Sequence, residues 1–255
     1  MGNIGLSKIL LEEMSWCEVE EALRRTDVIL VPIGSIEQHG PHLPLNTDTI
    51  VPFEFAKRVA DKIGALVAPP IRPGVSSHHM PKPGTIAIEP STLIALVKDY
   101  CRCLFKHGFK RIFLLNGHGG NSNTVGVAVQ ELHDELPEAQ IAYFDWWVFI
   151  PKEMGELMSP SEGIHANKAE TAWMLAVAPD LVNMSKAVDE LPPFVKDGMS
   201  EEEFRVYMAA VRTIDDLSKS GCVGKATEAT KEFGEECLNK AVERGAKFFE
   251  ALMKT

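Results

Sequence analysis

The chain has 255 residues, enough for one large α/β domain with a full core. A hydrophobic share of 45% and a charged share of 24% exclude a disordered or fibrous chain. A net charge of −10, with Arg24-Arg25 the sole arginine pair, excludes a nucleic-acid footprint, and no apolar run is long enough to span a bilayer.

Ser15 and Glu18 have capping-box spacing and open a helix that runs to about Arg25. Val28 to Ile33 is a continuous apolar run of strand length, the pattern of a strand buried on both faces. A helix follows from Thr47 or Asp48 to Ile63, stopped by Gly64, and then a strand over Ala65 to Ala68. A Pro/Gly-rich loop, Arg72 to Thr85, precedes a helix from Pro90-Ser91 to His107, which Gly108 ends. Arg111 to Leu115 is a buried strand, followed by a glycine loop and a helix to about Leu136; Ile141 to Trp147 reads as the next strand. Ile150 to Ile164 is irregular, Lys168 to Ala178 helical, and residues 193–255 are expected to be peripheral helices, the last from about Lys231 to Met253.

This alternation predicts one α/β domain over residues 1–255, with helices on both faces of a mainly parallel sheet. Cys17, Cys101, Cys103, Cys222 and Cys237 are odd in number and lack CxxC spacing, so free thiols in a reducing cytoplasm are expected. No basic segment followed by a long apolar one opens the chain, so no secretory leader is expected.

The most informative stretch follows the first strand: Ile33-Gly34-Ser35-Ile36-Glu37-Gln38-His39-Gly40-Pro41-His42-Leu43-Pro44-Leu45-Asn46-Thr47-Asp48. Four chemistry-bearing side chains, Glu37, His39, His42 and Asp48, crowd one loop beside a buried sheet. Alone, Asp48 would be an ordinary helix cap and Glu37 an ordinary loop acid. Together with two histidines they point to a divalent-metal site, with His42 as a supporting group. Asn116-Gly117-His118-Gly119-Gly120-Asn121 follows another strand. It matches neither the Walker nor the Rossmann pattern, and its glycines allow close approach of backbone to a ligand. Ligands in open α/β sheets gather at the carboxyl ends of strands, where both loops lie. His165 and Glu170 form a third cluster, for which a helix-surface pairing with Lys168 is an equal alternative. His78 and His79 sit in a loop suited to covering a substrate, although residue type alone favours a solvated loop. His107 and His133 lie late in helices and are expected to be exposed.

These motifs, with Pro83-Gly84-Thr85-Ile86, resemble the creatininase (creatinine amidohydrolase) family from about Val28 to Val182. The resemblance implies a three-layer α/β/α domain, a homohexamer and a small-molecule substrate. It also implies two divalent metal ions per subunit, zinc paired with zinc, manganese or iron. One would be held by Glu37, Asp48 and His118, the other by His39 and the bridging Asp48, with Glu170 beside it and His165 acting near the substrate. In creatininase itself a tyrosine and a glutamate follow the loop histidine; here Gly119 and Gly120 stand there, so Glu170 or water must fill the missing carboxylate's place. The Gly-Gly form is similar to wider members that act on a formamidopyrimidine nucleotide, a redox-cofactor precursor peptide or keto-inositols.

The expected reaction is hydrolysis of a C–N amide bond by metal-activated water, with His165 passing a proton to the leaving nitrogen. Ser77, His79, Gly119, Gly120 and Trp146 are the candidate substrate contacts, and Trp147 is placed with them, although a core role suits both tryptophans equally. The alternatives are a keto-inositol or lactone hydrolase using the same metals, and a non-catalytic metal-binding module; the absence of cysteines near the cluster speaks against the latter.

Overall fold

A computed structural model of the protein describes residues 8–154, 159, 161–195, 199–208 and 210–254. The first helix, α1 (Trp16–Leu23), opens on the expected capping box: Glu18 N–H donates to the Ser15 hydroxyl while the Glu18 carboxylate accepts from Ser15 N–H at 2.7 Å. Strand β1 (Val28–Ile33) is buried along its whole length. Then come α2 (Thr47–Ile63), ended by Gly64 at φ 70°, and β2, shorter than expected at Leu66–Val67. Next are α3 (Pro90–His107), β3 (Arg111–Asn116), α4 (Ser122–Glu135) and β4 (Gln140–Asp145).

The main sheet has the order β2-β1-β3-β4, with all pairs parallel. Side-chain alternation along the strands sorts the core into two slabs. Leu30 of β1 and Phe113 and Leu115 of β3 face one slab; Ile29, Val31, Ile112 and Leu114 face the other. Helices cover both faces, so the α/β/α expectation holds.

The remaining elements are β5 (Gly163–His165), α5 (Lys168–Val177), β6 (Asp189–Glu190), α6 (Glu201–Met208), β7 (Val223–Lys225) and α7 (Lys231–Leu252). A small antiparallel sheet, β5-β7-β6, was not foreseen, because strands of two or three residues carry no periodicity. Two expectations are corrected. The fourth strand stops at Asp145, and Trp146–Phe149 form a 3-10 turn that buries Trp146 and Phe149. The terminal helix is not peripheral: Ala241, Val242 and Phe249 of α7 lie in the same core as Phe113 and Leu115. A Cβ at Gly234 would sit 1.9 Å from the Ala172 carbonyl oxygen, so glycine there lets α7 press against α5. Of the stretch expected to be irregular, residues 155–158 and 160 lie outside the described residues. His107 and His133 are exposed, as expected. No helix among the described residues is long and apolar enough to cross a membrane, and the five cysteines are free thiols.

Candidate metal centre

The site lies beyond the carboxyl ends of β1 and β3, where an open parallel sheet leaves its loops free to converge. Glu37 and His39 come from the loop after β1, Asp48 from the first turn of α2, and His118 from the loop after β3. His165 ends β5 and Glu170 lies in the first turn of α5. The two main-sheet loops are tied together by Gly117 N–H to Ile33 O at 2.7 Å and Asn121 Nδ2 to Gly34 O at 2.9 Å. Between His165 and α5 the backbone passes through Ala166 at φ 48°, a left-handed conformation uncommon for alanine; its N–H donates to Glu170 Oε2. Asn167 caps α5, accepting from Glu170 N–H at 3.1 Å.

These turns bring the expected residues together. The two oxygens of Asp48 address different histidines: Oδ1 lies 3.0 Å from His39 Nε2 and Oδ2 3.0 Å from His118 Nδ1. His118 Nδ1 also lies 3.1 Å from Glu37 Oε2. Glu170 Oε2 stands 4.0 Å from His39 Nε2. His165 Nδ1 is 3.9 Å from Glu37 Oε1. Glu37, His39 and Asp48 are at most 5% exposed.

The hydrogen bonds fix which ring nitrogens face the cluster. His39 Nδ1 is 3.2 Å from Glu37 O, His118 Nε2 3.1 Å from Val75 O, and His165 Nε2 2.7 Å from Gln38 O. Each therefore donates to a backbone carbonyl and turns its other nitrogen inward, the arrangement common to metal-ligating histidines. His79 is different. The Gln38 side-chain oxygen accepts from Gly40 N–H at 3.0 Å, so its amide nitrogen faces His79 Nδ1 at 2.8 Å and donates to it. His79 Nε2 then carries the proton and lies 3.2 Å from Glu37 Oε1, a charge contact rather than a ligand position.

The acids and imidazoles of the cluster strongly shift one another's ionisation. Burial pushes the Glu37 carboxyl up, but the His118 and His79 rings hold it at about 2. Burial likewise opposes ionisation of Asp48, which His39 and His118 nevertheless hold well below the usual carboxylate range. Burial disfavours the charged form of His39, yet Asp48 and Glu170 raise it to about 10; His118 is raised in the same way by Glu37 and Asp48. Burial raises Glu170 to about 7. His165 falls to about 3 through burial and the charge of His39. Both Glu37 side-chain oxygens are buried and lack a partner in hydrogen-bond geometry. A buried carboxylate without a well-aligned hydrogen bond, among inward-facing imidazoles, fits a divalent ion. Donors about 2.0–2.2 Å from one tetrahedral ion lie about 3.3–3.6 Å apart, close to the spacings around His118.

A cavity of ≈ 280 Å³ opens on the cluster. Glu37, Asp48, His118, His165 and Glu170 line it, as do His79, Gly119 and Gly120 of the expected substrate contacts. Two of those contacts are corrected. Ser77 is exposed and is not among the lining residues, while the adjacent Ser76 is buried, its Oγ 3.4 Å from His118 Nε2. Trp146 packs in the core, its ring 4.7 Å from that of Trp173, and Trp147 faces the cavity instead. His42 is buried, with Nε2 2.8 Å from the Thr171 hydroxyl. The sequence reading missed Gln38 as the clamp on His79 and His165, and missed Ile164, Met208, Ile214 and Leu217 in the lining. Gln38 was legible as a polar residue between two candidate ligands; the apolar four carried no signal.

The glycines after His118 differ in kind. A Cβ at Gly119 meets nothing within 4 Å, whereas one at Gly120 would lie 2.4 Å from His118 Nε2 and 2.5 Å from Val75 O. A carboxylate side chain at 120 therefore requires a different loop.

A family model described as creatininase, creatinine amidohydrolase, matches residues 12–249. Creatinine amidohydrolase of Pseudomonas putida is 33% identical over 201 residues, covering 72% of this chain and 77% of its own. A mycofactocin precursor peptide peptidase of Mycolicibacterium smegmatis is 34% identical over 221 residues, covering 84% and 81% respectively. A solved structure of a mutant creatininase of Zn-Zn type superposes with TM-score 0.80 at 28% identity, over 96% of this chain and 98% of its own.

Proposed function

The chain belongs to the creatininase family, and on that premise we propose that it hydrolyses a C–N amide bond of a small molecule with a pair of divalent metal ions. The observation that carries this reading is the inward set of nitrogens, His39 Nε2 and His118 Nδ1, each facing one oxygen of Asp48. Glu37, Asp48 and His118 are assigned to one ion; His39, Asp48 and Glu170 to the other. Glu170 thereby takes the place that Gly120 leaves without a carboxylate. Zinc paired with zinc, manganese or iron suits this set of imidazoles and carboxylates.

When bound, such ions supply Lewis acidity toward a carbonyl and lower the pKa of water from about 15.7 toward about 7. The chain's own groups do the rest. His165, whose Nδ1 faces the cluster 3.9 Å from Glu37 Oε1, is the candidate to take up a proton and hand it to the leaving nitrogen. The backbone amides of Gly119 and Gly120 are the candidate partners of the developing oxyanion. A cytoplasmic homohexamer completes the proposal, with light scattering as the check on subunit number.

The test is to strip the protein, reload it with zinc or manganese, count the ions per chain and assay cyclic amides, formamides, short peptides and keto-inositols. Two ions and turnover of a C–N substrate support the proposal. One tightly held ion without hydrolysis supports a non-catalytic module, and ring opening of a keto-inositol or lactone without amide turnover supports the alternative hydrolase.

A further inference from the structure

The lining of the cavity divides by chemistry. Its ionisable groups belong to the metal cluster and its roof, whereas Trp147, Ile164, Met208, Ile214 and Leu217 are apolar. Four of these five, all but Trp147, form a hydrophobic cluster of their own, with Val223, Phe194 and Val211, apart from both cores that flank the sheet. None of the described residues lining the cavity is a lysine or an arginine.

This wall is held in place from several directions. Ile214 starts a single 3-10 turn capped by Thr213 and Asp216. Lys82, from the Pro/Gly-rich loop that carries His78 and His79, pairs with Asp215 at 2.7 Å and donates to Lys219 O at 2.9 Å. Glu190 of β6 accepts from the Ser218 hydroxyl at 2.7 Å and from Ser220 N–H at 3.0 Å. Ile214 and Leu217 are therefore fixed before any substrate arrives, which is what a selective surface requires.

We infer that Ile214 and Leu217 are specificity-determining residues, and that the cavity selects substrates whose group beyond the scissile amide is compact, uncharged and apolar. The inference rests on the proposed metal-dependent amide hydrolysis and adds the substrate class. A carboxylate or phosphate against this wall would lose its water without gaining a cation or a donor. A flat aliphatic or aromatic group would gain from burial there. The cavity volume of ≈ 280 Å³, just under the usual range for small-molecule sites, suits a compact group.

The test uses three hydroxamates that share one metal-seeking head: acetohydroxamate, benzohydroxamate and 3-carboxypropanohydroxamate. Their affinities for the zinc-loaded protein are measured by calorimetry. Benzohydroxamate is expected to bind at least tenfold tighter than the other two. In Ile214→Ala and Leu217→Ala that advantage falls below threefold, while the acetohydroxamate affinity, which reports an intact fold and loaded metals, stays within threefold of the parent. Equal binding of all three, or an advantage that survives both variants, overturns the specificity inference and leaves the metal-dependent reading standing. Failure of every hydroxamate to bind the zinc-loaded parent overturns both.

Discussion

Gly117 lies so close to Asp48 that a Cβ at position 117 would stand 2.1 Å from the Asp48 carbonyl oxygen and 2.5 Å from Pro52 Cγ. The His118 loop is thus seated directly on the first turn of α2, and this contact sets the 3.0 Å spacing of His118 Nδ1 and Asp48 Oδ2. Gly117→Ala should push the two apart, costing about 1–3 kcal/mol of stability as overpacking does and weakening the ion held by Glu37, Asp48 and His118. Gly119→Ala is the matched control, since its Cβ enters open space. Melting temperature and metal content of the two variants check this; equal loss in both would mean the loop is merely sensitive to side chains.

The pH dependence of stability should change sign with metal. Without ions, His39 has its pKa raised to about 10, so its contribution is full below about 6.5 and is lost as pH rises toward 10. Glu170, raised to about 7, adds a loss in the same direction, beginning near its unfolded value of about 4.3. Glu37, held at about 2, acts oppositely: its contribution is present above about 4.3 and is lost as pH falls toward 2. His42 and His165, lowered to about 4 and about 3, also lose their contribution as pH falls below about 6.5. The stripped protein should therefore melt highest near pH ~6–7 and lose stability on both sides. The loaded protein should gain stability from pH 5 to 8, because protons compete with the ions for the same nitrogens. Zinc titration near pH 7 should release protons, seen as a dependence of the calorimetric heat on the buffer's ionisation enthalpy.

Asn167 holds two parts of the site at once. Its side chain accepts from Glu170 N–H at 3.1 Å and donates to Gly163 O at 2.9 Å. Asn167→Ala should cost about 1–2 kcal/mol through loss of the cap and should loosen Glu170. Glu170→Gln, by contrast, should leave the melting point of the stripped protein near that of the parent and halve the metal content while abolishing turnover. Metal analysis of both variants distinguishes them; full occupancy and turnover in Glu170→Gln would make that residue structural.

The gathering of these side chains into a candidate metal centre was legible because the residue types involved stand close in sequence. Glu37, His39 and Asp48 stand within one loop, and His118 is announced by its flanking glycines. Strands β1 and β3 were legible because both faces are buried, which leaves an unbroken apolar run. His79 was legible as a candidate substrate contact, but not its proton placement, which depends on the side-chain amide of Gln38 far away in sequence. Of the two candidate tryptophans only Trp147 lines the cavity, because the chain leaves the strand at Asp145 and the following 3-10 turn buries Trp146. Ile214 and Leu217 gave no sign of a site, because apolar residues in a short capped turn look the same whether they line a cavity or fill a core.

The terminal helix offers the sharpest contrast between pattern and packing. α7 has the spacing of a surface helix, and its two adjacent phenylalanines look alike in sequence, yet Phe248 is 41% exposed and Phe249 is fully buried. The Phe249 ring lies 5.2 Å from that of Phe113 in the centre of the parallel sheet and 5.5 Å from that of Phe149 after β4. Phe249→Ala should therefore cost about 3–5 kcal/mol, the range for emptying a buried aromatic site, whereas Phe248→Ala should cost about 1 kcal/mol or less. Chemical denaturation of the two variants measures the difference. A helix lying loosely on the surface would give two equal small losses; a large loss confined to Phe249 places α7 within the cooperative unit that supports β3, and through β3 the loop that presents His118.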